Sequence, residues 1–252
     1  MKLYGLTGWP LGHSFSATYF NTRFSRDKTE AEYKLYPIED ISKILDIVDI
    51  ETNLVGFNVT APYKQKVIPF LSSITDEAKR VNAVNTVKIE RLSHKDKHPF
   101  LLYGHNTDIA GFRESVRPLL RADINRALIL GTGGAANAVA DALRQLNIWF
   151  TFVSRSASGH NIINYNELTE DLINSHLLII NATPVGTWPH CESSPAIPYH
   201  FLTSRHICHD LVYNPSDTMF MQYARAAGAT VKNGYDMLIH QAELAYTFWN
   251  TP

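Results

Sequence analysis

Short apolar runs alternate with amphipathic stretches along most of the chain, and this alternation constrains the fold more than any other feature of the sequence. The apolar runs predict buried strands at 3–8, 33–38, 54–59, 127–131, 149–154 and 177–182. Apolar residues at helical spacing predict helices at 39–49, 108–120, 134–147, 217–227 and 235–249. Strands and helices that succeed one another in this way predict an α/β fold with parallel sheets and right-handed crossovers.

The charge and cysteine content of the chain exclude several classes of protein. The 252 residues include 23 Lys and Arg against 24 Asp and Glu, so the net charge of −1 indicates neither a nucleic-acid binder nor a polybasic membrane binder. The first residues lack the apolar stretch of a secretory signal, and no run of about 18 apolar residues occurs, so we expect a cytoplasmic protein with no membrane partner. The two cysteines, Cys191 and Cys208, exclude a disulfide framework.

The length allows one large domain or two smaller ones, at about 150 residues per domain. The polar segment 88–99 predicts a hairpin loop or a turn at a domain boundary, which we place near residue 105. The last predicted helix, 235–249, carries enough apolar residues to cover a core.

A glycine-rich turn follows the predicted strand at 127–130 and opens the next helix. Such a turn lets backbone amides approach a pyrophosphate at the helix N-terminus, although close packing of strand and helix also explains it. The following strand ends at Ser154, Arg155 and Ser156, where an NAD-binding protein would place an acidic residue. A guanidinium flanked by two hydroxyls favours a 2′-phosphate, so the sequence predicts NADP, with a solvated surface arginine as the alternative.

Four polar clusters lie at strand ends in the first half of the chain. They are Ser14 with Ser16, 58–64, 83–86 and 106–108. Because ligands bind beyond the carboxyl ends of strands in α/β sheets, the clusters together indicate a small hydroxylated or carboxylated substrate. Each cluster alone is also explained by helix capping or a turn.

These segments resemble the shikimate dehydrogenase family. The family motif S-x-S matches Ser14 and Ser16, N-V-T-x-P-x-K matches 58–64, A-V-N-T matches 83–86, and N-T-D-x-x-G matches 106–111. Later motifs follow in the family's order, namely G-x-G-G-A at 131–135, N-A-T at 181–183, D-L-V-Y-N-P at 210–215, and N-G, M-L and Q-A within 233–242. The resemblance therefore runs from Gly8 to Ala242.

The resemblance implies two α/β domains with the active site in the cleft between them. A substrate-binding domain with a mainly parallel sheet would comprise 1–105 and 232–252, and a Rossmann-like NADP-binding domain would comprise 106–231. The implied reaction is the reversible reduction of 3-dehydroshikimate to shikimate with NADPH, a step towards chorismate and the aromatic amino acids. We expect a monomer or a homodimer.

The resemblance also assigns the site residues. Lys64 would be the general acid and base, paired with Asp108. The substrate-binding positions would be Ser14, Ser16, Thr60, Lys64, Asn85, Asp108, Tyr213 and Gln241. The cofactor-binding positions would be Asp76, Gly131, Thr132, Gly133, Gly134, Ala135, Ser154, Arg155, Ser156, Thr183, Leu211, Gly234 and Met237, with no metal. The chain departs from the family at two positions. Gly159 stands where the family usually has a basic residue, three positions after the segment 154–156, and Thr132 stands where the family often has alanine.

Several alternatives stay open to different degrees. A quinate/shikimate dehydrogenase with a broader substrate range or NAD preference is the nearest, although Ser14 and Ser16 together favour shikimate. A catalytically silent relative that only binds a nucleotide or metabolite is a further alternative. The presence of Lys64 and Asp108 disfavours it, because such a protein would not need an acid–base pair. A serine hydrolase is disfavoured because the segment 12–16 lacks the final glycine of a nucleophile elbow. A zinc site is disfavoured because its candidate ligands do not converge on one side of a strand. Those candidates are His190, Cys191, His206, Cys208 and His209.

Overall fold

Each of two units of the chain is built around a six-stranded sheet. The computed structural model describes residues 1–12, 14–92, 99–156, 159 and 161–251. One unit comprises Met1–Thr107 and Ala242–Pro252, and the other comprises Asp108–Gln241.

The elements up to residue 105 alternate strands and helices before ending in a strand pair. In chain order they are β1 (Lys2–Gly8), α1 (Phe15–Arg26), β2 (Ala31–Pro37), α2 (Ile44–Ile50), β3 (Leu54–Val59), β4 (Ser73–Ile74), α3 (Asp76–Val81), β5 (Thr86–Arg91) and β6 (Phe100–His105). Short 3-10 helices occupy Ile41–Lys43 and Ile68–Phe70.

The remaining elements follow a regular order of strand and helix. They are α4 (Thr107–Val116), β7 (Arg126–Leu130), α5 (Gly134–Gln145), β8 (Trp149–Ser154), β9 (Ile162–Asn164), α6 (Glu170–Ser175), β10 (Leu178–Asn181), β11 (Ile207–Asp210), α7 (Met219–Ala226), β12 (Thr230–Lys232) and α8 (Tyr235–Asn250). Further 3-10 helices occupy Arg117–Leu119, Tyr165–Glu167 and Tyr199–Phe201.

The first sheet is mixed, in the order β2-β1-β3-β5-β6-β4. β1 pairs in parallel with β2 and β3, and β4 pairs in parallel with β6, whereas β5 is antiparallel to both β3 and β6. The hairpin predicted at 88–99 is present, but residues 88–91 belong to β5 and not to the loop. Val87 and Ile89 are buried on either side of the partly exposed Lys88, and the exposed Glu90 and Arg91 follow, so a strand is concealed in a segment that looks uniformly polar. Residues 93–98 of the expected loop lie outside the described residues.

Two apolar clusters cover the two faces of this sheet. Successive residues of β1 point to opposite faces, so Leu3 joins one cluster and Tyr4 the other. The Tyr4 cluster includes Phe20 and Phe24 of α1 and Trp249 of α8. Helix α1 was not among the sequence predictions. Its signals were Phe20 and Phe24 four residues apart, an N-cap serine and two arginines in the last turn.

The second sheet is parallel throughout, in the order β12-β11-β10-β7-β8-β9. Counted from β7, this is the strand order 3-2-1-4-5-6 of a doubly wound dinucleotide-binding fold, with its switch point between β7 and β10. The carboxyl ends of β7 and β10 lie side by side, since Ala182 N donates to Leu130 O at 3.0 Å. The predicted α/β class is confirmed.

Two strands that the sequence predicted as buried are mostly only partly buried. In β8 only Val153 is buried, and Trp149 exposes 79% of its surface. In β2 only Tyr33 is buried. The reason is position, because β2 is an edge strand and β8 has only the short β9 beyond it.

The predicted helices exist, with local differences. The segment 39–49 forms a 3-10 turn followed by α2, and 217–227 shortens to α7 because Thr218 caps it. The segment 108–120 divides into α4 and a 3-10 turn that contains Pro118, which cannot donate a helical hydrogen bond. No helix among the described residues is long and apolar enough to cross a membrane.

Candidate active site

Loops after β1 and β3 bring together the first group of predicted site residues. Thr60 follows β3 and donates its backbone N–H to Thr7 O of β1 at 2.9 Å. Gly8, the last residue of β1, lies so close to Thr60 that a Cβ on Gly8 would overlap the Thr60 methyl group. The half-buried Lys64 follows in a turn, and its carbonyl accepts from Val84 N at 2.7 Å. The segments that carry Lys64 and Asn85 are therefore joined directly.

A buried hydrogen-bond network orients Asn85. Its Oδ1 accepts from Thr107 N at 2.8 Å, and its Nδ2 donates to Thr107 Oγ1 at 3.0 Å. Asn58 Nδ2 donates to Asn85 O at 3.1 Å and to Thr86 Oγ1 at 3.0 Å, which leaves Asn58 Oδ1 to accept from the Tyr33 hydroxyl at 2.8 Å. Because the two backbone groups fix the direction of every donor, the amide orientations of Asn58 and Asn85 are determined.

The two serines of the S-x-S motif lie at the start of α1. Ser14 is the N-cap, and its Oγ accepts from Ala17 N at 3.4 Å. The prediction that Ser14 caps a helix is thus correct. Capping uses the Ser14 oxygen as an acceptor, and a hydroxyl group can donate its proton to a different acceptor at the same time. Burial raises the pKa of Tyr33 well above its ordinary value, and a hydrogen bond with Ser16 opposes that rise. Ser16 is therefore linked to the same network as Asn85.

Asp108 and Gln241 lie in the other unit. Asp108 is a buried residue in the first turn of α4. One turn later, a Cβ on Gly111 would be 3.0 Å from both Gln241 Cβ and Met237 O, so glycine permits α4 and α8 to approach. Gln241 is buried and donates from Nε2 to Leu238 O at 3.0 Å. Tyr213, beyond β11, is 40% exposed, and partial burial raises its pKa.

The glycine loop between β7 and α5 has the shape that a dinucleotide requires. Gly131 has φ +104°, a conformation that L side chains rarely adopt, and its N–H donates to Val153 O at 2.8 Å. Thr132 and Gly133 are exposed, and Cβ atoms on Gly133 and Gly134 would meet nothing within 4 Å. Gly133 caps α5 without a side-chain hydrogen bond, and Ala135 lies in the first turn. The helix amides are thus accessible to an anion.

The end of β8 carries the residues predicted to select the dinucleotide. Arg155 and Ser156 are exposed, and Ser156 N donates to Ser154 Oγ at 3.3 Å. Burial raises the pKa of the nearby Tyr165, and the positive charge of Arg155 opposes this. Within the described ranges, Arg155 makes no ion pair, so its guanidinium is available to a ligand. Gly159 has φ +127°.

The other predicted cofactor residues of this unit gather at the same sheet edge. A Cβ on Gly131 would be 3.0 Å from the Thr183 methyl group, so the loops after β7 and β10 touch. A Cβ on Gly234 would overlap the carbonyl oxygen of Leu211, and Met237 is buried one turn into α8. Asp76 differs from these residues, because it belongs to the first unit, where it is exposed and paired with Lys79 at 3.0 Å.

Asn181 and Asp210 are buried polar residues that the sequence predictions did not single out. Both belong to motifs shared with the family, and each is the last residue of a strand. Asn181 Nδ2 donates to Asp210 Oδ1 at 2.9 Å. Burial raises the pKa of Asp210 to about 6, while hydrogen bonds from Thr218, Val212 and Asn181 oppose the rise. The sequence signal that could have identified Asn181 and Asp210 is a polar residue at the end of an apolar strand.

Among the residues that the structure describes, those considered above as zinc ligands make hydrogen bonds and packing contacts that do not involve one another. His206 accepts from Thr203 N at 2.9 Å through Nδ1, and Nε2 lies 3.1 Å from Ile173 O. His209 stacks on Phe112 with ring centroids 5.3 Å apart. Cys191 and Cys208 are free thiols. In the part of the chain that the structure describes, no group of three or more His, Cys, Asp or Glu could hold a metal ion.

Comparisons with known proteins agree with this geometry. A family model described as the shikimate dehydrogenase substrate binding domain matches residues 6–87. A curated relative from Crocosphaera subtropica, named shikimate dehydrogenase (NADP(+)), is 34% identical over 273 residues, covering 98% of this chain and 90% of the relative.

Solved structures are similar over the same length. The shikimate 5-dehydrogenase of Thermus thermophilus, in complex with NADP(H) and shikimate, has a TM-score of 0.84 and 28% identity, covering 99% of this chain and 94% of that one. The quinate dehydrogenase of Corynebacterium glutamicum, in complex with NAD, has a TM-score of 0.85 and 28% identity, covering 99% of this chain and 93% of that one.

Proposed function

Because the chain belongs to the shikimate dehydrogenase family, we propose that it catalyses the reversible, NADPH-dependent reduction of 3-dehydroshikimate to shikimate on the route to chorismate and the aromatic amino acids. The observation that carries the proposal is the full-length similarity to relatives named for this activity, with the glycine loop and the N-V-T-x-P-x-K segment both at strand ends.

The residues of the glycine loop fit a dinucleotide. Open space at Gly133 and Gly134 and the uncapped amides of α5 suit the pyrophosphate oxygens. We assign the 2′-phosphate to Arg155, helped by the hydroxyls of Ser154 and Ser156. The remaining contacts are assigned to Asp76, Thr132, Ala135, Thr183, Leu211, Gly234 and Met237. When bound, NADPH supplies the hydride.

Lys64 supplies the proton. Its ammonium group hydrogen-bonds to the substrate carbonyl oxygen and donates a proton as negative charge develops there, and the neutral amine accepts that proton in the reverse reaction. As the resemblance implies, we assign Asp108 as the partner of this ammonium group. Acid–base assistance of this kind is worth roughly 10²–10⁴-fold in rate.

The substrate is held by neutral polar groups. We assign the substrate carboxylate to the hydroxyls of Ser14 and Ser16, and the ring hydroxyls to Thr60, Asn85, Tyr213 and Gln241. The support is the orientation of the Asn85 amide by the Thr107 backbone N–H and the position of Ser14 at the N-cap of α1, where its oxygen accepts from Ala17 N. Two serines bind a carboxylate more weakly than an arginine would, because neither carries a charge.

A second candidate is a quinate/shikimate dehydrogenase that accepts NAD. Gly159 stands where the family usually has a second basic residue, and the similarity to the NAD complex of the Corynebacterium glutamicum enzyme supports this alternative. Selectivity for NADP then depends on Arg155 alone.

The organisation of the chain completes the proposal. We assign substrate binding to 1–105 with 232–252, and dinucleotide binding to 106–231. The two units of the structure divide α8 after Gln241, whereas we assign the whole of α8 to substrate binding. We expect a cytoplasmic monomer or homodimer, and two free thiols suit a reducing compartment.

Lys64→Ala tests the assigned chemistry, with Lys66→Ala as its control. Lys66 is an exposed lysine two residues further along the same segment. We expect Lys64→Ala to lower kcat for shikimate oxidation by roughly 10²–10⁴-fold, because the proton acceptor is lost. The Kd for NADP⁺, measured by fluorescence titration, should change less than about twofold. A Lys64→Ala protein with the kcat of Lys66→Ala would contradict the role.

A further inference from the structure

The Asp210 carboxylate, at the end of β11, joins three separate parts of its unit. Its Oδ1 accepts from Asn181 Nδ2 at 2.9 Å and from Val212 N at 3.0 Å, and its Oδ2 accepts from Thr218 Oγ1 at 2.6 Å. Asp210 and Thr218 are fully buried. These donors belong to the end of β10, the chain after β11 and the N-cap of α7.

The first connection leads to Thr183. Asn181 Oδ1 accepts from Thr183 N at 3.1 Å and from Thr183 Oγ1 at 2.6 Å. A carboxylate can only accept, so Asp210 holds the Asn181 amide with Nδ2 towards itself and Oδ1 towards Thr183, and the Val185 carbonyl accepts more weakly from the same Nδ2 at 3.3 Å. The Thr183 methyl group is the neighbour of Gly131 in the glycine loop. The orientation of Thr183 therefore depends on Asp210 through Asn181.

The second connection leads to Leu211 and Gly234. The turn after β11 is fixed by the bond from Val212 N to Asp210 and by the bond from Leu211 N to Asn181 O at 3.0 Å. Gly234 N in turn donates to Val212 O at 3.1 Å, and Gly234 packs directly on the Leu211 carbonyl. Three of the positions assigned to the dinucleotide thus depend on one carboxylate.

We propose that Asp210 is a positioning residue for the dinucleotide, orienting Thr183 through Asn181 and holding Leu211 and Gly234 through the Val212 backbone. The proposal rests on the proposed function, since it assumes that these loops bind NADP. Both oxygens of Asp210 accept hydrogen bonds here, and a proton on either oxygen would turn that oxygen into a donor and disrupt the set. Among the described residues, Tyr199 and Cys208 interact electrostatically with Asp210, and burial raises the pKa of both, so neither adds a charge.

Three variants separate positioning from stability. Asp210→Ala removes all the acceptors, and Asn181→Ala removes only the connection to Thr183. Thr218→Val is the matched control, because it removes a bond to Asp210 and the cap of α7 but leaves Asn181 and Val212 bound. Each protein is titrated with NADP⁺ by intrinsic fluorescence, and its Tm and amide exchange are measured without ligand.

We expect Asp210→Ala and Asn181→Ala each to raise the Kd for NADP⁺ at least tenfold. The double variant should bind no more than about twofold more weakly than Asp210→Ala, since both changes break one connection. The Thr183 amide should exchange at least tenfold faster in both variants. Thr218→Val should have a lower Tm with a Kd within twofold of wild type.

Two results would overturn the proposal. One is a Kd for Asn181→Ala within twofold of wild type, which also decides the matter if Asp210→Ala does not fold. The other is a Kd for Thr218→Val raised as much as that for Asp210→Ala, because loss of stability would then explain both. A wild-type protein that does not bind NADP⁺ would contradict the proposed function itself, and this inference with it.

Discussion

At the scale of single residues, we propose that the choice between NADP and NAD depends on the side chain of Arg155. Arg155 is exposed at the end of β8 with a hydroxyl on each side, and the residue four positions later is Gly159. A charge-assisted hydrogen bond to phosphate contributes roughly 1.5–3 kcal/mol. No acidic residue replaces it at this strand end to bind a free ribose hydroxyl.

Arg155→Ala should therefore raise the KM for NADP⁺ by roughly 10–100-fold and leave the KM for NAD⁺ within about twofold, because only the 2′-phosphate loses a partner. Initial rates of shikimate oxidation measure both constants. Arg126→Ala is the control, since Arg126 is an exposed arginine at the opposite end of the neighbouring strand β7. Equal losses for the two dinucleotides would show that Arg155 does not read the phosphate.

Asp210 gives a second prediction at this scale, on stability against pH. Its pKa is about 6 in the folded protein against 3.8 ordinarily, so the folded state holds the proton more tightly. The resulting stabilisation is complete below pH 3.8 and is lost as the pH rises through 6. Between pH 5 and pH 7 this group should lower the free energy of unfolding by about 1 kcal/mol.

Asp210→Asn removes this titration and keeps an oxygen for Asn181 and Val212. The free energy of unfolding of the variant, less that of wild type, should rise by about 1 kcal/mol from pH 5 to pH 7 in urea denaturation. A difference that stays constant over that range would mean that the carboxylate titrates normally.

At the scale of elements, α8 completes the first unit with residues from the far end of the chain. Trp249 is 2% exposed and packs against Tyr4, Phe20 and Tyr33, with ring centroids 5.0–6.3 Å apart. Its Nε1 donates to Val87 O of β5 at 3.0 Å. Earlier in the same helix, Glu243 forms an ion pair with Arg23 of α1.

Trp249→Ala should lower the free energy of unfolding by about 3–5 kcal/mol, because it leaves a cavity among buried rings. Trp149→Ala is the same chemical change at a side chain that is 79% exposed, and should alter stability by less than about 0.5 kcal/mol. Urea denaturation of both proteins tests this difference. Similar losses at the two positions would contradict the packing described for α8.

Elements with strong local signals were predictable from the sequence, and those without were not. The glycine turn identifies β7 and α5 because strand, turn and helix each carry their own pattern. Strands of two or three residues, namely β4, β9 and β12, are too short to show a period. The pairing of Asp210 with Asn181 joins residues 29 positions apart, so no local pattern reveals it.

At the scale of the whole molecule, the motifs occur in one order from Gly8 to Ala242, and the fold places them at strand ends of two sheets. The predictions of the family and of the fold class are confirmed by the full-length relatives. The roles of Lys64, Asp108 and the assigned binding residues stay predictions, because they follow from the resemblance.

The most direct test is the initial rate of nicotinamide reduction with shikimate and with quinate, each with NADP⁺ and with NAD⁺. We predict that kcat/KM for shikimate with NADP⁺ is at least about tenfold higher than for any other pair, because Arg155 selects the phosphate and the paired serines favour shikimate. Comparable values with quinate or NAD⁺ would favour the broader quinate/shikimate activity. No turnover with any pair would contradict the proposed dehydrogenase.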